Sequence, residues 1–158
     1  MLEIINYNSS SSSYNLYTTI FRKLKFSDDI QQANREELFI KDICIRISKS
    51  KSVLYVLDSG EEIIGLVVLS ASSVTDQPSV QIDYIFVSQS FRSQNLEILN
   101  NLKPFRYLIN LAISIAEDMS KKLGLRYIVL SPDSDNLKEK YLSVGFKKLN
   151  KSWMFFKI

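Results

Sequence analysis

Val80-Gln81-Ile82-Asp83-Tyr84-Ile85-Phe86-Val87 opens a stretch, closing at Pro132, from which the rest of the architecture can be read. It reads as a strand, a polar basic loop, a helix from Pro104 to Leu123 and a buried strand, Tyr127-Ile128-Val129-Leu130. A strand that feeds a helix and returns as a strand is a βαβ crossover, the unit that builds parallel pairing. In the helix, Phe105, Leu108, Ile109, Ala112, Ile115, Ala116, Met119 and Leu123 recur at spacings of three and four and share one face. Pro104 suits the first turn, where a missing N–H costs nothing, and Gly124 suits the left-handed stop. The start of this helix is the natural place to look for an anionic ligand.

Working outward, the 158 residues fit one domain, 1–158, with a real core. No apolar run reaches the roughly 18 residues of a membrane span, so no membrane partner is expected. Met1-Leu2-Glu3-Ile4-Ile5 has neither the basic flank nor the long apolar core of a signal peptide. Cys44 is the single cysteine, which excludes an internal disulfide, fits a cytoplasmic location and reads as an inert core thiol. Histidine is absent, which removes the commonest general base, the triads that use one and most zinc sites. No metal is expected, and acid–base chemistry must run through Asp, Glu, Tyr, Lys or water. A net charge of +3 admits polyanionic partners such as nucleotide phosphates or RNA, and neutral ones equally.

In chain order, Leu2–Tyr7 reads as a strand, Asn8–Ser13 as a serine-rich loop, and Tyr14–Phe26 and Gln31–Ser48 as helices with a capping Ser27-Asp28-Asp29 between them. Ser52–Leu57 and Ile63–Ser70 read as a hairpin around Asp58-Ser59-Gly60-Glu61, with Gly65 marking a bulge or close backbone approach. Ala71–Pro78 reads as a loop. After the crossover, Asn136–Val144 reads as a helix stopped by Gly145, and Phe146–Leu149 with Ser152–Ile158 as a terminal hairpin. The expected class is α+β: a mixed, mostly antiparallel sheet of six to seven strands, one parallel βαβ crossover and helices on both faces.

This order resembles the GNAT family of acyl-CoA-dependent N-acyltransferases, over Val53 to Ile158. The resemblance rests on the strand Gly65-Leu66-Val67-Val68-Leu69, on Ile82 to Arg92, on the central crossover, and on Asn136 to Phe146 with its Tyr141-Leu142-Ser143-Val144-Gly145-Phe146 ending. It implies a pantetheine arm paired with the backbone of Ile85, Phe86 and Val87, and a pyrophosphate on the loop before the long helix. Arg92 aligns with the first residue of the family's Arg/Gln-x-x-Gly-x-Gly/Ala loop, yet Arg92-Ser93-Gln94-Asn95-Leu96-Glu97 holds neither glycine. The resemblance thus assigns the phosphate site to Arg92 with the helix start, where the cradle is either rebuilt by Lys103, Phe105 and Arg106 or lost.

The resemblance also places Tyr141 where the family keeps its thiolate-protonating tyrosine; the alternative is a ring packed under the sheet. Gln81 stands where some members carry a glutamate base and cannot accept a proton, leaving Asp83, on the same strand face, as a direct or water-mediated acceptor or a polar strand residue. Asn136 contacts the cofactor arm or caps its helix. The implied activity is N-acetyl transfer from acetyl-CoA to a primary amine, a small molecule or peptide. The alternatives are a toxin acetylating aminoacyl-tRNA, neutralised by a partner protein, and a catalytically degenerate binding module. Pairing of the last strands would give a homodimer.

Overall fold

A computed structural model describes residues 1–158. The elements are β1 (Glu3–Tyr7), α1 (Ser13–Phe21), α2 (Ile30–Ser48), β2 (Val53–Asp58), β3 (Ile63–Val74), β4 (Gln77–Val87), α3 (Pro104–Leu123), β5 (Tyr127–Leu130), α4 (Asp135–Ser143), β6 (Lys147–Lys148) and β7 (Met154–Lys157). Short 3₁₀ turns cover Gln89–Phe91 and Glu97–Leu99. One seven-stranded sheet runs β1-β2-β3-β4-β5-β7-β6, with β4 and β5 parallel. Antiparallel registers include Ile5↔Val56, Val129↔Phe155 and Lys147↔Phe155.

Two compact units form. The first is Met1–Val68 with Tyr84–Leu108, and the second is Leu69–Asp83 with Ile109–Ile158. β3, β4 and α3 contribute residues to both, so no linker marks a boundary in the sequence. The core of the first unit gathers Leu16 and Ile20 of α1, Ile40, Ile43, Cys44 and Ile47 of α2, and Leu54, Val56, Leu66, Val68 and Phe86 of the strands. Burial pushes the Cys44 thiol up to about 12, so it stays protonated and unreactive. In the second unit Ile109, Ala112, Ala116, Ile128, Val129, Leu130, Phe146 and Met154 are buried.

Local chemistry explains the boundaries. Ser12, Asp29 and Ser134 cap α1, α2 and α4, accepting from the N–H groups of Asn15 (3.2 Å), Gln32 (2.9 Å) and Leu137 (3.2 Å). Two expectations change. Helix α1 stops at Phe21 rather than Phe26, because the chain beyond it bonds to strand ends: Ile63 N–H donates to Lys23 O (2.9 Å) and Gln89 N–H to Lys25 O (2.8 Å). The loop expected over Ala71–Pro78 is instead a continuation of β3 and β4 around the two-residue turn Thr75-Asp76, with φ of 46° and 63°. Residues 93–103 are folded: Leu96 and Leu102 form a bridge, Leu99 is fully buried, and Asn100 and Asn101 are left-handed at 58° and 61°. Asparagine tolerates that conformation better than most residues.

Gly65 sits where a close approach is required. A Cβ there would lie 2.8 Å from Phe86 O and 3.0 Å from Leu108 Cδ1, and a strand carbonyl cannot step aside. Its neighbour Leu66 joins the α1–α2 core, so Leu108 and that core meet opposite faces of β3 at this point. Gly65→Ala is expected to destabilise the protein by about 2 kcal/mol, read as a lower urea midpoint with unchanged slope. An unaltered midpoint would contradict the close approach.

Candidate active site

The parallel register joins Ser79↔Tyr127, Val80↔Ile128 and Gln81↔Val129, and β4 then continues to Val87 beyond the last paired residue. Ile85, Phe86 and Val87 lie in that continuation. The Phe86 ring is buried against Phe26 (5.7 Å between centroids) and Tyr84 (6.4 Å).

Arg92 is engaged on all its nitrogens. Nε donates to Val87 O (2.8 Å), Nη1 to Gln89 Oε1 (2.8 Å) and Nη2 to Glu36 Oε2 (2.8 Å), while the guanidinium lies 5.4 Å from the Phe86 ring centre. Glu36 is buried and also accepts from Ser27 N–H (2.8 Å) and Gln32 Nε2 (3.2 Å). No signal local to Arg92 reveals this: Glu36 lies 56 residues earlier.

Eleven residues on, Lys103 O accepts from Tyr107 N–H (3.0 Å), which makes Lys103 the residue at the mouth of α3. Lys103 and Arg106 are exposed and Phe105 is half-buried, so two cations flank a helix end whose leading N–H groups point out of the helix. Lys103, Phe105 and Arg106 therefore gather at the start of one helix, while Arg92 is engaged by Val87, Gln89 and Glu36.

In the second unit, Gln81 Nε2 donates to Asp83 Oδ1 (2.9 Å), and Ser70 Oγ donates to the same oxygen (3.0 Å). Ser70 was hidden from sequence reading by the loop assigned to 71–78; a two-residue hairpin brings it across from Gln81 and Asp83. Tyr141 is buried in α4, edge-on to Phe146 (5.4 Å), which in turn meets Phe156 (5.4 Å). Gly145 sits at φ 105°, a conformation strained for other residues, and a Cβ there would lie 3.2 Å from the Phe156 ring, which would have to shift slightly. Burial, reinforced by the charge of Asp133, raises the Tyr141 phenol above its ordinary value. The hydroxyl is thus a proton donor at any physiological pH. Asn136 is exposed on the first turn of α4 and does not cap it, because Ser134 does. No group of three or more His, Cys, Asp or Glu is placed to hold a metal ion. No helix is long and apolar enough to cross a membrane.

This architecture is found in solved structures. AtaTR bound with acetyl-CoA superposes with a TM-score of 0.72 at 16% identity, over 99% of this chain and 92% of that one. AtaT complexed with acetyl-methionyl-tRNAfMet gives 0.70 at 15%, over 99% and 95%. The chain has the GNAT fold. A tyrosine-to-phenylalanine mutant of the AtaT toxin bound to the C-terminus of the antitoxin AtaR gives 0.72 at 14%, over 99% and 92%. No protein-family profile and no curated protein matches the sequence.

The Arg92–Glu36 pair yields a stability prediction. Removing one partner leaves a buried charge uncompensated, so Arg92→Ala is expected to cost about 3 kcal/mol. Arg92→Lys, lacking the planar fork, should recover less than half of it. Chemical denaturation measures both, and a variant as stable as wild type would show that the pair is dispensable.

Proposed function

We propose that this chain is an acetyl-CoA-dependent N-acetyltransferase whose acceptor is the α-amino group of an aminoacyl-tRNA. The observation that carries the reading is likeness along 99% of the chain to a toxin solved with acetyl-CoA and with acetyl-methionyl-tRNA. The expectation of an unspecified small or peptide amine is thereby narrowed.

In this reading the backbone of Ile85, Phe86 and Val87 pairs with pantetheine. The α3 start, with Lys103 and Arg106, takes the pyrophosphate in place of the glycine loop. The neutral amine attacks the thioester carbonyl, a C–N bond forms and the C–S bond breaks. The departing thiolate takes the Tyr141 proton, and the proton lost by the amine passes to Asp83 directly or through water. Asn136 stands at the cofactor arm. A second reading, a binding module without catalysis, draws on the missing glycines and on Arg92 being held by Glu36.

Calorimetric titration of acetyl-CoA separates the two. Micromolar affinity, weakened at least about tenfold in Arg106→Glu, supports the enzyme; no binding at millimolar acetyl-CoA leaves the binding module. Incubation with acetyl-CoA and methionyl-tRNA, followed by mass spectrometry of the released amino acid, then tests the acceptor.

Tyr141→Phe is expected to lower kcat by about 10²-fold or more while leaving acetyl-CoA affinity unchanged. Because the phenol is raised, its acid form persists as pH climbs. The wild-type rate should therefore rise as the amine deprotonates and hold level to about pH 9.5. A decline between pH 8 and pH 9 that the variant lacks would show Tyr141 ionising there, against the raised phenol, whereas a variant with wild-type kcat would exclude Tyr141 as the acid.

A further inference from the structure

The positive charge is concentrated in one place. Residues 138–158 hold six lysines (138, 140, 147, 148, 151 and 157) and one acidic residue, Glu139, a net of +5. The whole chain is +3, so the remainder stands at −2.

The fold places four of these lysines on the terminal hairpin. β6 is the edge strand of the sheet and consists only of Lys147 and Lys148, both exposed. The tip joining β6 to β7 is fixed by Leu149 N–H to Trp153 O (2.9 Å) and by Asn150 Oδ1, which accepts from the N–H groups of Ser152 and Trp153 (3.0 Å each). Lys151 is exposed at that tip and Lys157 on β7. None of Lys147, Lys148, Lys151 and Lys157 takes part in an ion pair.

Edge lysines commonly block unwanted strand addition. That accounts for Lys147 and Lys148 but not for Lys151 in the turn, nor for a segment with no acidic residue after Glu139. A second copy pairing at β6 would set lysine against lysine. Clustered ammonium groups without arginine forks suit a repeating polyanion better than one directed carboxylate.

We propose that the β6–β7 hairpin is a binding surface for the phosphate backbone of structured RNA, contacted by Lys147, Lys148 and Lys151. It would hold the body of the acceptor whose aminoacyl end enters the active site. This rests on the aminoacyl-tRNA reading above, and it adds the surface that supplies affinity.

The test measures fluorescence anisotropy of labelled tRNA across a salt series. Wild type is compared with Lys147→Glu/Lys148→Glu/Lys151→Glu and with Lys49→Glu/Lys51→Glu/Lys121→Glu, which changes net charge equally at exposed positions elsewhere. Acetyl-CoA titration on each protein reports that the fold and cofactor site are intact, and a Lys→Gln triple at 147, 148 and 151 serves if the glutamates prevent folding. The hairpin variant should lose about tenfold or more in affinity, with a log–log salt slope shallower by roughly 2–3, while the control loses less than about threefold. Equal losses in both variants, or none in the hairpin variant, overturn the surface even if wild type acetylates aminoacyl-tRNA. Wild type that binds acetyl-CoA but not tRNA overturns the surface and the acceptor reading together.

Discussion

Much of the first unit depends on satisfying one buried carboxylate. Glu36 lies inside α2, where an isolated charge would be strongly disfavoured. It is tolerated because three donors converge on it: the Ser27 N–H from the segment before the helix, Gln32 one turn earlier, and Arg92 from beyond β4. Arg92 reaches it only while also bonding the Val87 carbonyl and lying against Phe86. The satisfaction of Glu36 therefore fixes where β4 ends, and with it the origin of the loop leading to α3. That loop is held at its far end by Leu99 and by the Leu96–Leu102 bridge.

The same pair shows what a sequence can and cannot reveal. The order of strands and helices was legible, and α3 matches from Pro104 to Leu123, because a long amphipathic helix writes its period locally. Gly65 was legible as a close approach, though not the atoms approached. The hairpin turn Thr75-Asp76 was missed because neither residue is a glycine, and φ > 0 is usually signalled by one. Alignment with a motif places Arg92 at a phosphate, and nothing local to it shows the competing carboxylate of Glu36. A guanidinium with a buried carboxylate in reach is drawn there first, and the carboxylate comes from 56 residues away. Long-range pairing leaves no local trace.

With Arg92 engaged by Glu36, the proposed reading draws its anion-binding charge from the helix start. Lys103 and Arg106 stand on the first turn of α3, where the macrodipole already favours negative charge. The glycines of a phosphate loop serve mainly to let backbone N–H groups approach an anion. A chain lacking them can substitute point charges, with less geometric definition of the diphosphate. Under the proposed reading the site is set by charge more than by a cradle.

Under the proposed reading, the chemistry of the second unit favours a particular kind of amine. Without histidine, and with Tyr141 held protonated by burial, no strong base is at hand, and a carboxylate such as Asp83 is a weak one. The nucleophile must then arrive largely neutral by its own ionisation. A lysine side chain, with an ordinary pKa of about 10.4, is almost wholly charged near neutrality, whereas an α-amino group at about 7.7–8.0 is already in part deprotonated. An acceptor whose amine ionises near neutral pH asks least of these residues. The α-amino group of an aminoacyl ester is such an acceptor, and the lysine-rich hairpin offers the countercharge that the attached nucleic acid would need.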